Sequence, residues 1–177
     1  MKNILLIGGE GYIGNILCQN LLKDGYHVIS FDNLLYRNQS CVLNKIHDSN
    51  YEFIYGDMLD KDLLRDSIER VDCVILLAGL VGDPITKKYP KESIQINDQG
   101  VKNVIDICAD YNTNKFIFIS TCSNYGFIKN DHLANEDSSL RPLSSYAKSK
   151  VKAEKYILSL KSKTKMNPVI LRFATAF

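Results

Sequence analysis

Apolar residues in this chain come as short continuous bursts, separated by longer stretches in which they recur every third or fourth position. Residues 2–7, 26–31, 52–55, 73–77, 116–119 and 169–171 are aliphatic, β-branched or aromatic runs without polar alternation, which predicts six strands buried on both faces. Residues 13–23, 61–69, 93–111 and 145–160 read as helices, and Ile94, Val101, Val104, Ile105 and Cys108 make one apolar face of the third. Strand and helix in repeated alternation imply right-handed crossovers onto a parallel sheet. The expected fold is therefore α/β, a Rossmann-type doubly wound parallel sheet of about six strands with helices on both faces.

Two polar stretches break the rhythm. Residues 33–50 leave room for a short helix around 42–46, and residues 126–143 are polar and acidic and end at Arg141-Pro142. The second precedes a chemically distinctive segment and is expected to loop over the site.

Composition narrows the class. At 177 residues and 45% hydrophobic content the chain is long enough for one core, so a single domain over residues 1–177 is expected. Its 22 basic and 20 acidic residues are interspersed, with a net charge of +2 and no basic stripe, which argues against nucleic acid as a partner. Cys18, Cys41, Cys73, Cys108 and Cys122 are odd in number and lack any metal-ligand spacing; they read as reduced thiols, mostly small core residues. His27, His47 and His132 are scattered and suggest no metal site. The first apolar run is too short for a signal sequence or a membrane span, so no membrane partner and a cytoplasmic location are expected.

Chemistry is concentrated at the ends of the predicted strands. Gly8-x-x-Gly11-Tyr12-Ile13-Gly14 follows the first strand and opens the first helix. Glycines there allow a tight turn and close approach of a pyrophosphate to the amides at a helix N-terminus, although a plain strand-to-helix turn would use them too. Asp32, at the end of the second strand and followed by Asn33, supplies a carboxylate that can accept both hydroxyls of an adenosine ribose and repel a 2'-phosphate. The pair points to NAD. Gly56-Asp57-Met58 follows the third strand, where Asp57 could take the adenine amino group or begin the next turn. Leu77-Ala78-Gly79 follows the fourth, where small residues admit a cofactor or serve packing.

Tyr146 and Lys150 stand one helical turn apart, about 5 to 6 Å at Cβ, close enough for a fixed ammonium to act on a phenol. A phenol with a pKa of ~10 is a poor base near neutrality, and a neighbouring cation favours the phenolate. Tyr146 is the candidate base, and Lys150 its electrostatic partner and a ribose ligand. Thr121, with Ser123 as a second contact, lies after the fifth strand and could hold the substrate oxygen that alternates between alcohol and carbonyl; small polar turn residues would look the same.

Taken in order, these motifs resemble the extended short-chain dehydrogenase/reductase family, in its nucleotide-sugar epimerase/dehydratase branch. The likeness also includes Asn97 with Gly100 and Asn103, Tyr125-Gly126 and Leu171-Arg172-Phe173. It implies that Thr121, Tyr146 and Lys150 are the catalytic triad. It also implies that Asn97 shapes the cofactor site and that an enzyme-held NAD takes hydride from a sugar carbon, typically C4. An epimerase or C4 dehydrogenase is the implied activity, and a nucleotide-activated hexose or heptose of bacterial surface polysaccharides the implied substrate.

The 4,6-dehydratases carry Asp-Glu after the catalytic Thr, where this chain has Cys122-Ser123, so the resemblance disfavours dehydration. Ile7 replaces a common threonine before the first glycine. The resemblance further implies a C-terminal substrate-binding domain that these residues do not include, leaving a truncated, non-catalytic NAD-binding or interaction module as the alternative. It also implies a homodimer packed through the helices of residues 93–111 and 145–160.

Overall fold

The computed structural model describes residues 2–128 and 133–174, so His132 lies outside the described residues. Six strands form one wholly parallel sheet: β1 (Asn3–Ile7), β2 (His27–Asp32), β3 (Tyr51–Tyr55), β4 (Cys73–Leu76), β5 (Lys115–Thr121) and β6 (Pro168–Phe173), in the order β3-β2-β1-β4-β5-β6. The most apolar strands take the centre. Leu5 and Ile7 of β1 face one layer of helices with Phe31, Phe116 and Phe118, while Ile4 and Leu6 face the other with Cys18 and Val28. Burial of both faces is what their unbroken hydrophobicity anticipates.

The crossovers are α1 (Tyr12–Lys23), α2 (Gln39–Leu43), α3 (Lys61–Ile68), α4 (Asp83–Lys88), α5 (Pro90–Ser93), α6 (Val101–Asp110) and α7 (Ser145–Leu160). Asp60 caps α3 by accepting from Leu63 N, and Ser144 caps α7 by accepting from Ala147 N. These caps fix where each helix starts.

The third expected helix is not one helix. A π-helical stretch, Ile94–Gly100, separates α5 from α6. Wider turns rotate the side chains preceding α6 out of its register. Ile94 is therefore exposed, while Val101, Val104, Ile105 and Cys108 are buried as expected. Helix α4, absent from the sequence reading, begins where Gly82 takes a positive φ of 89° and Pro84 follows at the first turn. The short helix expected around 42–46 lies slightly earlier, at Gln39–Leu43.

Candidate active site

Strand order reverses between β1 and β4, and the loops leaving their carboxyl ends part to form a groove of about 1220 Å³. Ligands of doubly wound sheets collect at such a reversal. Gly8, Gly11, Tyr12, Ile13, Gly14, Asp32, Asn33, Asp57, Met58, Leu77, Ala78 and Gly79 line it, with Thr121, Ser123, Tyr146 and Lys150 further along the same groove. Of the candidate catalytic, cofactor and substrate residues, Asn97 alone does not line it; Gly100, Asn103, Tyr125, Leu171 and Arg172, which carry the family resemblance, also lie outside it.

The glycine loop is tight for its own reasons. Gly8 has a φ of +87°, and a Cβ there would sit 2.6 Å from Ala78 N; one on Gly14 would sit 2.3 Å from Gly8 O. Gly11 differs, its nearest neighbour to a Cβ being Gly8 O at 3.4 Å, so its outer side is open. No side chain caps α1 at Gly11, which leaves first-turn amides to act as donors toward an anion. A dinucleotide's diphosphate fits this cradle.

Asp32 accepts from Glu10 N at 3.0 Å and from Leu34 N at 2.8 Å. Burial raises its pKa, and those two amides oppose the shift. A carboxylate has about four acceptor sites, so two remain for ribose hydroxyls. Asp57 accepts from Asn33 Nδ2 at 3.1 Å and from Leu59 N at 2.9 Å, so it does begin the turn toward α3 while still lining the groove. Leu77 and Ala78 both donate to Ile7 O at 2.9 Å, joining β4 to β1 at the reversal. Met58 is buried, and its carbonyl accepts from Asn103 Nδ2 at 3.0 Å.

Asn97 is buried in the π-helical stretch, its amide committed to Leu80: Oδ1 accepts from Leu80 N at 2.8 Å, and Nδ2 donates to Leu80 O at 2.9 Å. It shapes the loop after β4 from behind. A Cβ on Gly79 would meet this Oδ1 at 2.9 Å.

Tyr146 lies half-buried in the first turn of α7, held by the Ser144 cap. Lys150 is buried. Its Nζ donates to Ile119 O at 2.8 Å, lies 4.6 Å from the Phe118 ring centroid and 5.9 Å from that of Tyr146. Burial pulls Lys150 down to about 8, with Glu154 acting against the shift. Burial also raises Tyr146, Cys122 adding to the effect. Desolvation dominates at the phenol, and the Lys150 ammonium is drawn toward a carbonyl on β5.

Thr121 ends β5 and caps the 3-10 turn Cys122–Tyr125 by accepting from Ser123 N at 3.1 Å, which leaves its hydroxyl hydrogen to donate. Ser123 and Cys122 are exposed at the start of that turn. Among the described residues no group of histidine, cysteine and carboxylate side chains could hold a metal.

Two buried networks escaped the sequence reading. Glu154 accepts from Ser120 Oγ at 2.5 Å, Asn124 Nδ2 at 2.8 Å and Arg172 NH2 at 2.8 Å. Glu10 accepts from Ser30 Oγ at 2.6 Å, Tyr51 OH at 2.9 Å and Lys45 Nζ at 2.9 Å. Signals existed. Ser30 and Ser120 are hydroxyls at strand positions otherwise given to the core, and Glu154 follows Lys150 by the same four residues that separate Lys150 from Tyr146.

A sheet that reverses under a glycine loop, with a hydroxyl, a phenol and a buried ammonium farther along one groove, defines a dinucleotide-binding α/β protein of the short-chain dehydrogenase/reductase kind. The chain belongs to the NAD dependent epimerase/dehydratase family, whose profile matches residues 4–177. It is 31% identical to the dTDP-D-glucose 4,6-dehydratase of Dictyostelium discoideum, over 97% of this chain and 43% of that protein. It is 30% identical to the uncharacterized UDP-glucose epimerase YtcB of Bacillus subtilis, over 98% of this chain and 56% of that protein. Among solved structures, UDP-glucuronic acid 4-epimerase from Bacillus cereus in complex with UDP-glucuronic acid and NAD superposes with a TM-score of 0.87. The two are 29% identical, over 96% of this chain and 55% of that one. The chain spans about half the length of the curated relatives it matches. Among the described residues no helix is long and apolar enough to cross a membrane.

Proposed function

We propose that these residues are the cofactor-binding and catalytic part of an NAD-dependent nucleotide-sugar epimerase or C4 dehydrogenase. The observation that carries this reading is the single groove joining the glycine cradle and Asp32 to Thr121, Tyr146 and Lys150. The open side of Gly11 and the α1 amides hold the diphosphate, Asp32 the adenosine ribose, Asp57 with Met58 the adenine end, and Lys150 the nicotinamide ribose. Bound NAD supplies an acceptor, and in an epimerase a returning donor, for the hydride of a carbinol carbon.

Thr121 donates to the sugar hydroxyl oxygen and holds it toward Tyr146. Tyr146 takes the hydroxyl proton as that carbon loses its hydride, so that the alcohol becomes a carbonyl; reversal returns both. Because burial raises Tyr146, the phenolate requires further positive charge. That charge comes from the oxidised nicotinamide and from Lys150, provided Lys150 keeps its proton. Exposed Cys122 and Ser123 stand in place of acidic residues beside Thr121, which favours epimerisation or oxidation over elimination of water. Bacterial surface polysaccharide synthesis is the setting we infer, with a cytoplasmic homodimer as the assembly.

The test is NAD reduction by absorbance together with chromatographic detection of the C4 epimer, on addition of a panel of UDP- and dTDP-hexoses to the protein. Turnover of at least one sugar by either readout is expected, and it is expected to fall by about a thousandfold in Tyr146→Phe; unchanged turnover in that variant excludes Tyr146 as the base. The alternative reading is NAD binding without turnover. NAD binding with no nucleotide-sugar binding by calorimetry is the outcome that reading requires.

A further inference from the structure

Near the glycine loop the groove is lined by two carboxylates, Asp32 and Asp57, with the buried carboxylate of Glu10 beneath the loop, while Lys150 is the cation among the described lining residues, beside Tyr146 and Thr121. A diphosphate bound on the loop would bring its own negative charge to this acidic end. Glu10 is the acute case. It sits inside the loop, between Gly9 and Gly11, and is 1% exposed, so water cannot screen it.

Its side chain turns inward, under the loop, where Ser30 Oγ and Tyr51 OH share Oε1 at 2.6 and 2.9 Å. Lys45 takes the other oxygen. Its Nζ is 2.9 Å from Oε2 and donates also to Asn15 Oδ1 at 2.6 Å, in the first turn of α1 and on the groove's lining. Lys45 is itself 5% exposed and comes from the turn after α2, so the segment between β2 and β3 delivers a buried cation to the base of the glycine loop.

We propose that Lys45 is a positioning residue that cancels the buried charge of Glu10, so that the glycine loop offers a diphosphate a neutral floor. The inference rests on the NAD reading above and extends it to side chains buried beneath the loop. Neutral hydrogen bonding alone would serve the loop's shape, and Ser30 and Tyr51 already provide it. The ammonium adds charge balance. Asn15 ties that balance to the helix end whose amides would meet the anion.

The test compares a charged probe, ADP-ribose, measured by titration calorimetry, with an uncharged one, adenosine, measured by competition against it. Unit charges about 10 Å apart at an effective dielectric of about 20 change affinity by roughly tenfold. Lys45→Met is therefore expected to weaken ADP-ribose by about tenfold and adenosine by less than about threefold. Glu10→Gln, which keeps an acceptor oxygen for Ser30 and Tyr51 and gives up the charge together with the bond to Lys45, is expected to tighten ADP-ribose by about threefold or more with adenosine unchanged. The double variant should return to within about threefold of the native protein.

A merely structural role predicts otherwise: equal loss of both probes in Lys45→Met and no tightening in Glu10→Gln. Either result overturns the proposal, as does native ADP-ribose affinity in Lys45→Met. Should Lys45→Met show no cooperative thermal transition, Glu10→Gln decides alone, tightening supporting the inference and unchanged or weaker binding rejecting it. If the native protein fails to bind ADP-ribose, the NAD reading falls and this one with it; if it binds and the variants do not separate the probes, only this one falls.

Discussion

Two buried carboxylates lie behind the groove, and they are satisfied in different ways. Glu10 and Glu154 each accept from a strand serine, Ser30 on β2 or Ser120 on β5, and each is paired with one cation. The Glu10 cation, Lys45, is a point charge almost wholly removed from water and arrives from a turn. The Glu154 cation, Arg172, is a planar fork on β6 that spans both carboxylate oxygens and also reaches Tyr125 OH at 3.0 Å and Glu136 O at 3.2 Å. The first arrangement balances charge at one spot; the second joins α7, β6 and the turn after Thr121 into one unit. A guanidinium suits joining because its donors diverge in fixed directions.

The largest effect should come from breaking the junction. Arg172→Met strands Glu154, 2% exposed at its side chain, and is expected to cost about 3 to 5 kcal/mol in denaturant unfolding. Adding Glu154→Gln should restore most of that loss, since the stranded charge is then gone. A cost for Arg172→Met below about 1 kcal/mol would mean that water reaches Glu154, and the contrast between junction and charge balance would fail.

Legibility followed the same division. The six strands, the glycine loop and the Tyr146–Lys150 spacing are local patterns, continuous apolar runs or spacings of three and four residues, and a sequence displays those directly. Arg172 and Glu154 are 18 residues apart, and Lys45 and Glu10 are 35 apart. Nothing in the period of either segment announces its partner. Ile94 shows the limit from another side: it sits where helical spacing wants an apolar face, and the π-helical turns that serve Asn97 and Leu80 turn it outward. Tyr146 shows a third. The spacing to Lys150 was right, yet its electrostatic effect depended on burial and on the carbonyl of Ile119, which spacing does not encode.

Lys150 sharpens the comparison because its ammonium is buried without a direct carboxylate partner among the described residues; Ile119 O is its acceptor and Glu154 acts on it through the field. With a folded pKa of about 8, against an ordinary value near 10.5, the folded state holds this proton less tightly than the unfolded one. The resulting cost to stability is therefore complete below about pH 8 and fades as pH rises from there toward the unfolded value. Lys150→Met should remove it, raising stability at pH 7 by about 2 kcal/mol while abolishing turnover. The stability advantage of the variant should shrink between pH 8 and the unfolded pKa; an advantage independent of pH would assign it to packing and not to the charge.

The smallest effect separates fold from function most cleanly. Asp60 and Ser144 make the same contact, a side-chain oxygen accepting from a backbone amide three residues on, at 3.1 Å in both helices. Replacing either with alanine should cost about 1 kcal/mol, since a cap is worth about that wherever it stands. Only one of the two caps sets the start of the helix that carries Tyr146. Fraying of the first turn of α7 moves the phenol relative to Thr121, and a displacement of about 1 Å at a reacting group can cost up to about a hundredfold in rate. Asp60→Ala should accordingly leave nucleotide-sugar turnover within about twofold of native, and Ser144→Ala should lower kcat by about tenfold or more at equal loss of stability. Equal kcat in the two variants would show that α7 is held in place by Glu154 and Arg172 alone, which would make the junction, and not the cap, what positions Tyr146.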